Sequence, residues 1–448
     1  MEEKESVVLR LRQDAITIFR SALAAVDPEE AVRRHLRIEA GALAVEGRRY
    51  DLNGCERVLV VGAGKAVAPM AKALEDLLGD RIAAGLLVVK DGHGLPLRKI
   101  RFQEASHPVP DERGVSGTLE ILKLLEGARE RDLVICLISG GGSALLIAPS
   151  EGIGVADKQA TTKNLLACGA TIHEINTIRK HLSRAKGGQL ARAAHPATVL
   201  SLILSDVVGD DLDVIGSGPT VPDRSSFQDT LEILKRYEIW NQIPDSVRQR
   251  VILGVKGALA ETPKPGDPVF ERCAQVLVGS CLRALTAAAH TAERLGYQSL
   301  ILSSKVEGEA REVAKAFSAI GKEILSSGQP VQPPACVLIG GETTVTLQGD
   351  GRGGRNQEFV LASAIALEGA DRVVLLAGGT DGTDGPTDAA GAVADGLTVR
   401  RAKGMGMDPH AFLKRSDSYH FFKPLDDLII TGPTRTNVMD VYMLLVGA

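Results

Sequence analysis

Short apolar runs alternate with helix-patterned segments along most of the chain. Residues 58–61, 85–89 and 133–139 are apolar at nearly every position rather than at every second one, and residues 198–206 (TVLSLILSD) also read as a strand. Such continuous runs are typical of strands that are buried on both faces of a parallel sheet. The pattern therefore predicts an α/β fold with a largely parallel sheet.

Other segments carry weaker patterns. Residues 7–46 read as helical with a break at Asp27-Pro28, and residues 157–194 also read as helical. Residues 336–349 predict a strand and a hairpin. The stretch 326–334 is polar and rich in proline, which is typical of a linker. We therefore expect two domains, residues 1–331 and residues 332–448.

Composition excludes several classes of protein. The net charge is −4 and aromatic residues make up 3% of the chain, which argues against a nucleic-acid-binding surface. No apolar stretch reaches the ~20 residues of a membrane span, and the N-terminus lacks the layout of a secretory signal. The six cysteines form no CxxC pair, so we expect reduced thiols in a cytoplasmic protein.

Five glycine-rich loops follow apolar runs, and each contains a charged residue or a hydroxyl group. They are 62–66 (GAGKA), 139–143 (SGGGS), 205–220, 351–358 (GRGGRNQE) and 378–391. Glycine lets backbone N–H groups converge on the oxygens of a phosphate or carboxylate. Loops at the carboxyl ends of parallel strands meet in one crevice. The loops indicate an enzyme that acts on an anionic small molecule together with a nucleotide.

The first loop places Lys65 directly after Gly62-Ala63-Gly64 at the start of a helix, where free N–H groups favour an anion. The sequence is not a Walker A loop, and Val67 replaces the third glycine of a dinucleotide fingerprint. A tight turn with an incidental lysine is the alternative. We favour anion binding by Gly62, Gly64 and Lys65.

The loop Ser139, Gly140, Gly141, Gly142 and Ser143 predicts a backbone nest for a carboxylate or phosphate. A serine nucleophile is disfavoured because the GxSxG pattern is absent. Asp206 ends an apolar run, which suits a general base or a magnesium ligand, although solvation of a loop explains it nearly as well.

The last two loops hold further candidates. Arg355, at a predicted helix start, suits the stabilisation of charge on a transferred phosphoryl group, whereas Arg352 is expected in solvent. Asp381 and Asp384 are candidates for metal or nucleotide contact, or for plain turns. His107, before Pro108, is expected to be structural.

Taken together, the chain resembles the glycerate 2-kinase family, in the two-domain form whose C-terminal part is called the MOFRL domain. The motifs that carry the resemblance span nearly the whole chain: GAGKA, SHPVPDE, SGGGSALL, INTIRKHLSRAKGGQLA, SDVVGDDLDVIGSGPTVPD, GGETTV, GRGGRNQE and TDGTDGPTDAAGA.

The resemblance implies a Rossmann-like N-terminal domain and a smaller α/β domain, with the active site in the cleft between them. It also implies transfer of the ATP γ-phosphoryl group to D-glycerate, giving 2-phosphoglycerate, with a divalent metal such as Mg²⁺. Lys65 and Arg355 are implied as functional residues and Asp206 as a base or metal-linked acid. A homo-oligomer is left open.

The chain departs from the family pattern at two places. Near its C-terminus the family usually reads GPTGTNVND, whereas this chain reads GPTRTNVMD, with Arg435 and Met439. The family also commonly reads KGGRLA where this chain has Gln189. Some relatives carry the older name hydroxypyruvate reductase. An NAD(P)-linked reductase and a metabolite sensor therefore remain as alternatives, although a reductase of this type would want an intact GxGxxG.

Overall fold

The computed structural model describes residues 2–448, with side chains from residue 6 onward. The chain forms two compact units. The central unit is Pro28–Val278. The terminal unit joins Gly279–Ala448 to the N-terminal residues up to Asp27, which form helix α1 (Glu2–Ala25).

The central unit is built on a six-stranded sheet with helices around it. Its helices are α2 (Pro28–His35), α3 (Val67–Leu78), α4 (Glu112–Glu126), α5 (Gly142–Leu145), α6 (Val155–Ala167), α7 (Ile172–His181), α8 (Gln189–Ala194), α9 (Phe227–Arg236) and α10 (Asp245–Val255). Its strands are β1 (Arg37–Glu39), β2 (Ala42–Val45), β3 (Arg48–Asp51), β4 (Val58–Ala63), β5 (Ile82–Lys90), β6 (Ile100–Ala105), β7 (Leu133–Ile138), β8 (Thr198–Leu204) and β9 (Cys273–Gly279).

The strand order of the large sheet is β6-β5-β4-β7-β8-β9. β4 pairs in parallel with both β5 and β7, and β7 pairs in parallel with β8. Every residue of β4 and β7 is buried, as the continuous apolar runs predicted. This order is that of the doubly wound dinucleotide-binding fold, in which connections leave in opposite directions on either side of the first strand. The α/β prediction is confirmed, and the crevice of this fold lies where β4 adjoins β7.

Two segments of the central unit differ from the predicted helices. Residues 37–51 form the antiparallel sheet β1-β2-β3, because Gly41 and Gly47 adopt φ values of +78° and +77° and reverse the chain twice. The stretch 157–194 contains the separate helices α6, α7 and α8. Thr171 begins α7 with a capping box, in which its backbone N–H donates to the Glu174 carboxylate at 2.7 Å.

The terminal unit holds a second six-stranded sheet. Its remaining helices are α11 (Cys281–Arg294), α12 (Ala310–Ser327), α13 (Arg355–Ala366), α14 (Thr398–Gly404), α15 (Pro409–Lys414) and α16 (Ser418–Phe422). Its strands are β10 (Gln298–Val306), β11 (Ala335–Gly341), β12 (Val373–Gly379), β13 (Gly391–Asp395), β14 (Leu428–Ile429) and β15 (Asp440–Val446). The order is β10-β11-β15-β12-β13-β14, with β10 and β11 parallel and the other pairs antiparallel.

The compact units differ from the predicted division after residue 331. The proline-rich stretch joins α12 to β11 inside the terminal unit, since β10 on one side of it pairs with β11 on the other. A polar linker signal therefore marks an exposed connection here, not the edge of a core. The hairpin predicted after β11 is wrong, because Thr344 makes one isolated bridge to Glu309 and no strand is described between β11 and α13.

No helix described between residues 2 and 448 is both long enough and apolar enough to cross a membrane.

Candidate functional site

The first two glycine loops lie side by side at the carboxyl ends of β4 and β7. The backbone N–H of Lys65 donates to the carbonyl oxygen of Gly140 at 2.9 Å, and the N–H of Ala66 donates to Ser139 Oγ at 3.0 Å. Gly64 donates to the carbonyl oxygen of Val88 on β5 at 3.1 Å. The GAGK turn and the SGGGS turn therefore form one surface at the point in the sheet where ligands of this fold bind.

Asp206, at the end of β8, lies against this surface. A methyl group placed on Gly140 would be 2.2 Å from Asp206 Oδ2 and 2.7 Å from its Cγ. Only a residue without Cβ lets the carboxylate approach the loop so closely. The structure thus brings Asp206 to the loop that contains Gly140, Gly141 and Gly142.

Lys65 and His107 meet at the neighbouring glycine. Gly141 adopts φ +82°, and a Cβ placed there would lie 3.0 Å from His107 Cδ2 and 3.3 Å from Lys65 Cγ. Among the described residues the Lys65 ammonium makes no hydrogen bond and no ion pair within 4.0 Å, so its charge is available to a ligand. Lys90 ends the adjacent strand β5 and adds a second cation at the same edge of the sheet.

His107 was expected to be structural, yet it lies within this group. Burial, followed by the charges of Lys65, Lys90 and His93, lowers the pKa of His107 to about 4. The imidazole is therefore neutral at physiological pH and can accept or donate a hydrogen bond without adding charge. Its position after β6 was the signal that the sequence offered, since loops after parallel strands share one edge of a sheet.

Ser143, at the end of the SGGGS loop, anchors a buried polar network. Its Oγ lies 3.0 Å from Ser217 Oγ, and Ser217 Oγ donates to Asn176 Oδ1 at 3.0 Å. The buried ammonium of Lys186 donates to the carbonyl oxygen of Ser143 at 2.8 Å. Sequence reasoning missed Asn176, Lys186 and Ser217, although they lie in long motifs that carried the family resemblance.

Arg355 belongs to the terminal unit, at the first position of α13 as predicted. Its guanidinium binds both oxygens of the buried Asp440 carboxylate, at 2.6 and 3.1 Å, and donates to Glu342 Oε1 at 2.6 Å. These two carboxylates outweigh the effect of burial and raise the pKa of Arg355, which stays charged. A planar fork held in this way presents its remaining edge in a fixed direction.

The carboxylate of Asp384 is occupied by the protein itself. Its oxygens accept hydrogen bonds from the backbone N–H groups of Asn356 and Gln357, at 3.0 and 2.8 Å, in the first turn of α13. Burial raises the pKa of Asp384 to about 6. Asp381 accepts from the backbone and side chain of Thr383, which is the geometry of a turn.

The fit to a metal ion can be judged from these contacts. Among the described residues no group of three or more His, Cys, Asp or Glu side chains is arranged to hold a metal. Asp206 belongs to the central unit, whereas Asp381 and Asp384 belong to the terminal unit and bind their own backbone. The oxygens of Asp381 and Asp384 are thus already engaged by hydrogen bonds within the terminal unit.

The predicted residues thus fall into two groups. The central unit brings together Gly62, Gly64, Lys65, Ser139, Gly140, Gly141, Gly142, Ser143 and Asp206. The terminal unit holds Arg355, Asp381 and Asp384. The central group combines a carboxylate with a half-buried lysine that has no ion pair among the described residues, and these two groups can accept a proton from a hydroxyl group and bind anionic oxygens.

The fold and this group define a doubly wound α/β protein with a candidate anion site at the switch point of its sheet. The family model described as a domain of unknown function (DUF4147) matches residues 14–252, and that of the MOFRL family matches residues 335–440. The second match begins close to the predicted boundary at 332, although the compact units divide elsewhere.

Curated relatives match almost end to end. A glycerate 2-kinase of Pyrococcus horikoshii is 41% identical over 98% of both chains, and a D-glycerate 2-kinase of Thermotoga maritima is 42% identical over 97% of this chain and 98% of its own. A putative hydroxypyruvate reductase of Agrobacterium vitis is 44% identical over 97% of this chain and 94% of its own. The crystal structure of a Thermotoga maritima glycerate kinase has a TM-score of 0.88, 41% identity, and coverage of 98% of this chain and 99% of that one. The chain belongs to the glycerate 2-kinase family, with its DUF4147 and MOFRL regions.

Proposed function

We propose that this chain transfers the γ-phosphoryl group of ATP to the 2-hydroxyl of D-glycerate, giving 2-phospho-D-glycerate. The observation that carries the proposal is the meeting of Lys65 and Asp206 on one glycine loop at the switch point of the central sheet. Kinase-named relatives of nearly equal length support it. A cation for phosphate and a carboxylate for a hydroxyl proton are the two functions that such a transfer requires.

Each residue has a distinct part in this proposal. The ammonium of Lys65 binds phosphate oxygens, and the dipole at the N-terminus of α3 favours their negative charge. Asp206 accepts the proton of the 2-hydroxyl as that oxygen attacks the phosphorus atom. Gly140, Gly141 and Ser143 supply backbone N–H groups to the acceptor carboxylate, whereas the N–H of Gly142 donates to the carbonyl oxygen of Ser139. Arg355 stabilises the negative charge on the transferred phosphoryl group. This role comes from the family resemblance, and the kinetics of an Arg355 variant test it.

ATP enters the proposal as its magnesium complex, that is, as substrate. Mg²⁺ is commonly held by one or two carboxylates together with substrate phosphates, so a three-carboxylate site is not required. Asp206 is the carboxylate of the central group that would contact Mg²⁺ in this way. No step above depends on the metal. Binding of Mg²⁺ by Asp381 and Asp384 is less well supported, because their oxygens hold turns and the start of α13.

A reductase is the second candidate, because relatives at similar identity carry that name. The loop geometry disfavours it. Val67, at the third position of the fingerprint, is fully buried at the start of α3, where a glycine normally allows close contact with a dinucleotide.

Two assays on the purified chain separate these candidates. The first couples ADP formation from ATP and D-glycerate to a spectroscopic signal, and NMR of the product identifies 2- or 3-phosphorylation. The second follows oxidation of NADH by hydroxypyruvate without ATP. Phosphorylation at the 2-hydroxyl supports the proposal, whereas NADH oxidation without phosphorylation, or product at the 3-hydroxyl, contradicts it.

A further inference from the structure

Two lysines of one short segment are buried, but their surroundings differ. Lys180, on α7, is 2% exposed and binds the carboxylate of Asp213, with Asp223 Oδ1 at 3.4 Å. Lys186 is 1% exposed, and its ammonium donates to the neutral carbonyl of Ser143. Among residues 6–448 no carboxylate oxygen lies within 4.0 Å of Lys186 Nζ. A buried ammonium without a counter-charge is strongly unfavourable unless an anion joins it.

Two further cations increase this excess of positive charge. Lys158 is buried and donates to the carbonyl oxygen of Leu182 at 3.0 Å, and Arg179 is half-buried without a hydrogen bond or ion pair in the described part of the chain. Burial is the main reason that the pKa of Lys186 is lowered, and the charges of Lys158 and Arg179 lower it further. The charges of Lys158 and Arg179 thus act on Lys186, and in the part of the chain whose side chains are described no carboxylate pairs with any of the three within 4.0 Å.

An unsatisfied donor lies beside them. Asn176 Nδ2 is buried without a hydrogen-bond partner, while Asn176 Oδ1 is held by Ser217, which in turn contacts Ser143. Asn176 and Arg179 are three residues apart on α7 and so share one face of the helix. A buried amide N–H without a partner costs free energy that an acceptor would recover. Lys186 contacts the end of the SGGGS loop directly and Asn176 contacts it through Ser217, and the charges of Lys158 and Arg179 act on Lys186.

We propose that Lys186, Arg179 and the side-chain amide of Asn176 form an anion subsite beside Ser143 that binds the carboxylate of the acceptor. The identity of the acceptor as D-glycerate rests on the proposed function. The subsite itself rests on the missing counter-charge and the unpaired amide. It assigns a role to the motif INTIRKHLSRAKGG, in which Lys180 is the structural lysine and Lys186 the ligand-binding one.

Two features favour the acceptor carboxylate over nucleotide phosphates. Lys186 is enclosed, which suits one small planar anion that accepts from a few fixed donors. The polyphosphate of a nucleotide needs a more open cation, and Lys65 on the Gly141 side of the same loop is half-buried and unpaired. The loop would then have a phosphate side and a carboxylate side.

Kinetics test the assignment on the full chain. Lys186→Met keeps an unbranched side chain one atom shorter and removes its charge, and Arg179→Gln changes a half-buried residue that holds no partner among the described residues. Each should raise KM for D-glycerate by roughly ten- to a hundredfold, the loss expected for a charged hydrogen bond, with little change in KM for ATP. A rise in KM for ATP alone, or no rise in either KM, overturns the assignment.

Thermal unfolding without ATP gives a second readout that does not depend on catalysis. D-glycerate should stabilise the wild-type chain more than glycerol at equal concentration, because glycerol lacks the carboxylate, and Lys186→Met should lose this difference. If inorganic phosphate stabilises the chain through Lys186 and D-glycerate does not, the subsite is a phosphate site and the proposal is wrong. A chain that binds D-glycerate through Lys186 without phosphorylating it would contradict the proposed function but not the subsite.

The matched control is Lys180→Met. It leaves Asp223 buried without its cation and should lower the melting temperature of the unliganded chain. Lys186→Met removes an uncompensated charge, so its unliganded melting temperature should equal or exceed that of the wild type. An equal loss in both variants would show that Lys186 is structural and would refute the subsite.

Discussion

The contact between Gly140 and Asp206 gives the sharpest test of the candidate site. In Gly140→Ala the new methyl group would lie 2.2 Å from Asp206 Oδ2, whereas ordinary contact begins near 3.4 Å. The backbone of Gly140 lies outside the left-handed region, so alanine is otherwise tolerated. The carboxylate or the loop must therefore move by ~1 Å. A displacement of this size at a reacting group costs on the order of 100-fold in rate, or about 2.7 kcal/mol in activation free energy.

The assay is the initial rate of ADP formation at saturating ATP and D-glycerate. We expect kcat of Gly140→Ala to fall on the order of 100-fold, with a melting temperature close to that of the wild type. The control is Gly127→Ala in the same unit, where the nearest atom to the added methyl group is Leu124 O at 4.0 Å. That variant should keep full activity.

A double-mutant cycle shows whether Asp206 transmits the effect. In an Asp206→Ala background the added methyl group meets no carboxylate, so Gly140→Ala should cost little further activity. Full turnover of Gly140→Ala, or an equal loss with and without Asp206, would refute the reasoning.

The remaining predictions concern single side chains. Lys65→Ala should lower kcat far more than it raises KM for D-glycerate, because the charge acts on the phosphoryl group, and near-normal turnover in the coupled assay would reject that role. Arg355→Ala should lower both kcat and the melting temperature, since it leaves the buried carboxylate of Asp440 without the guanidinium that pairs with it. Adding Asp440→Asn to this variant should recover the melting temperature but not kcat. Recovery of both quantities would show that Arg355 is purely structural. Arg435 is exposed and adopts φ +62° at a position where the family usually has glycine. Arg435→Gly should therefore stabilise the chain by roughly 0.5–1 kcal/mol, whereas Arg435→Ala keeps the strained backbone and should not. Equal melting temperatures of the two variants would contradict this prediction. The pKa of His107 is lowered from 6.5 to about 4, so its contribution to stability is complete above pH 6.5 and is lost as the pH falls towards 4. Allowing for its partial exposure, we expect a loss of about 1–2 kcal/mol at pH 5, and His107→Gln should show a smaller fall in melting temperature between pH 7 and pH 5 than the wild type.

Local sequence patterns identified the parts of the molecule in which neighbours along the chain decide the structure. Strands β4, β5, β7 and β8 were predicted because an apolar run is a local signal, and the glycine-rich loops after β4, β7 and β8 were predicted because turn residues are local as well. The same reasoning failed at residues 37–51, where the turns at Gly41 and Gly47 outweighed an apparent helical pattern.

The domain division shows a different limit. The proline-rich stretch before β11 was correctly seen as a connection, but its composition could not show that β10 pairs across it. Pairing between strands is a long-range contact, and the composition of the residues that connect two strands does not indicate whether those strands pair.

The sequence by itself determined the α/β fold, the glycine-rich loops 62–66 and 139–143, and the candidates Lys65 and Asp206, because strand ends and glycine turns are encoded locally. Only the tertiary structure decided that Asp206 approaches Gly140, that Asp384 caps α13, and that Lys186 lacks the carboxylates which surround Lys180. Those properties depend on which distant charges and donors come within a few ångströms of one another, and electrostatic energy is set by that distance rather than by position along the chain.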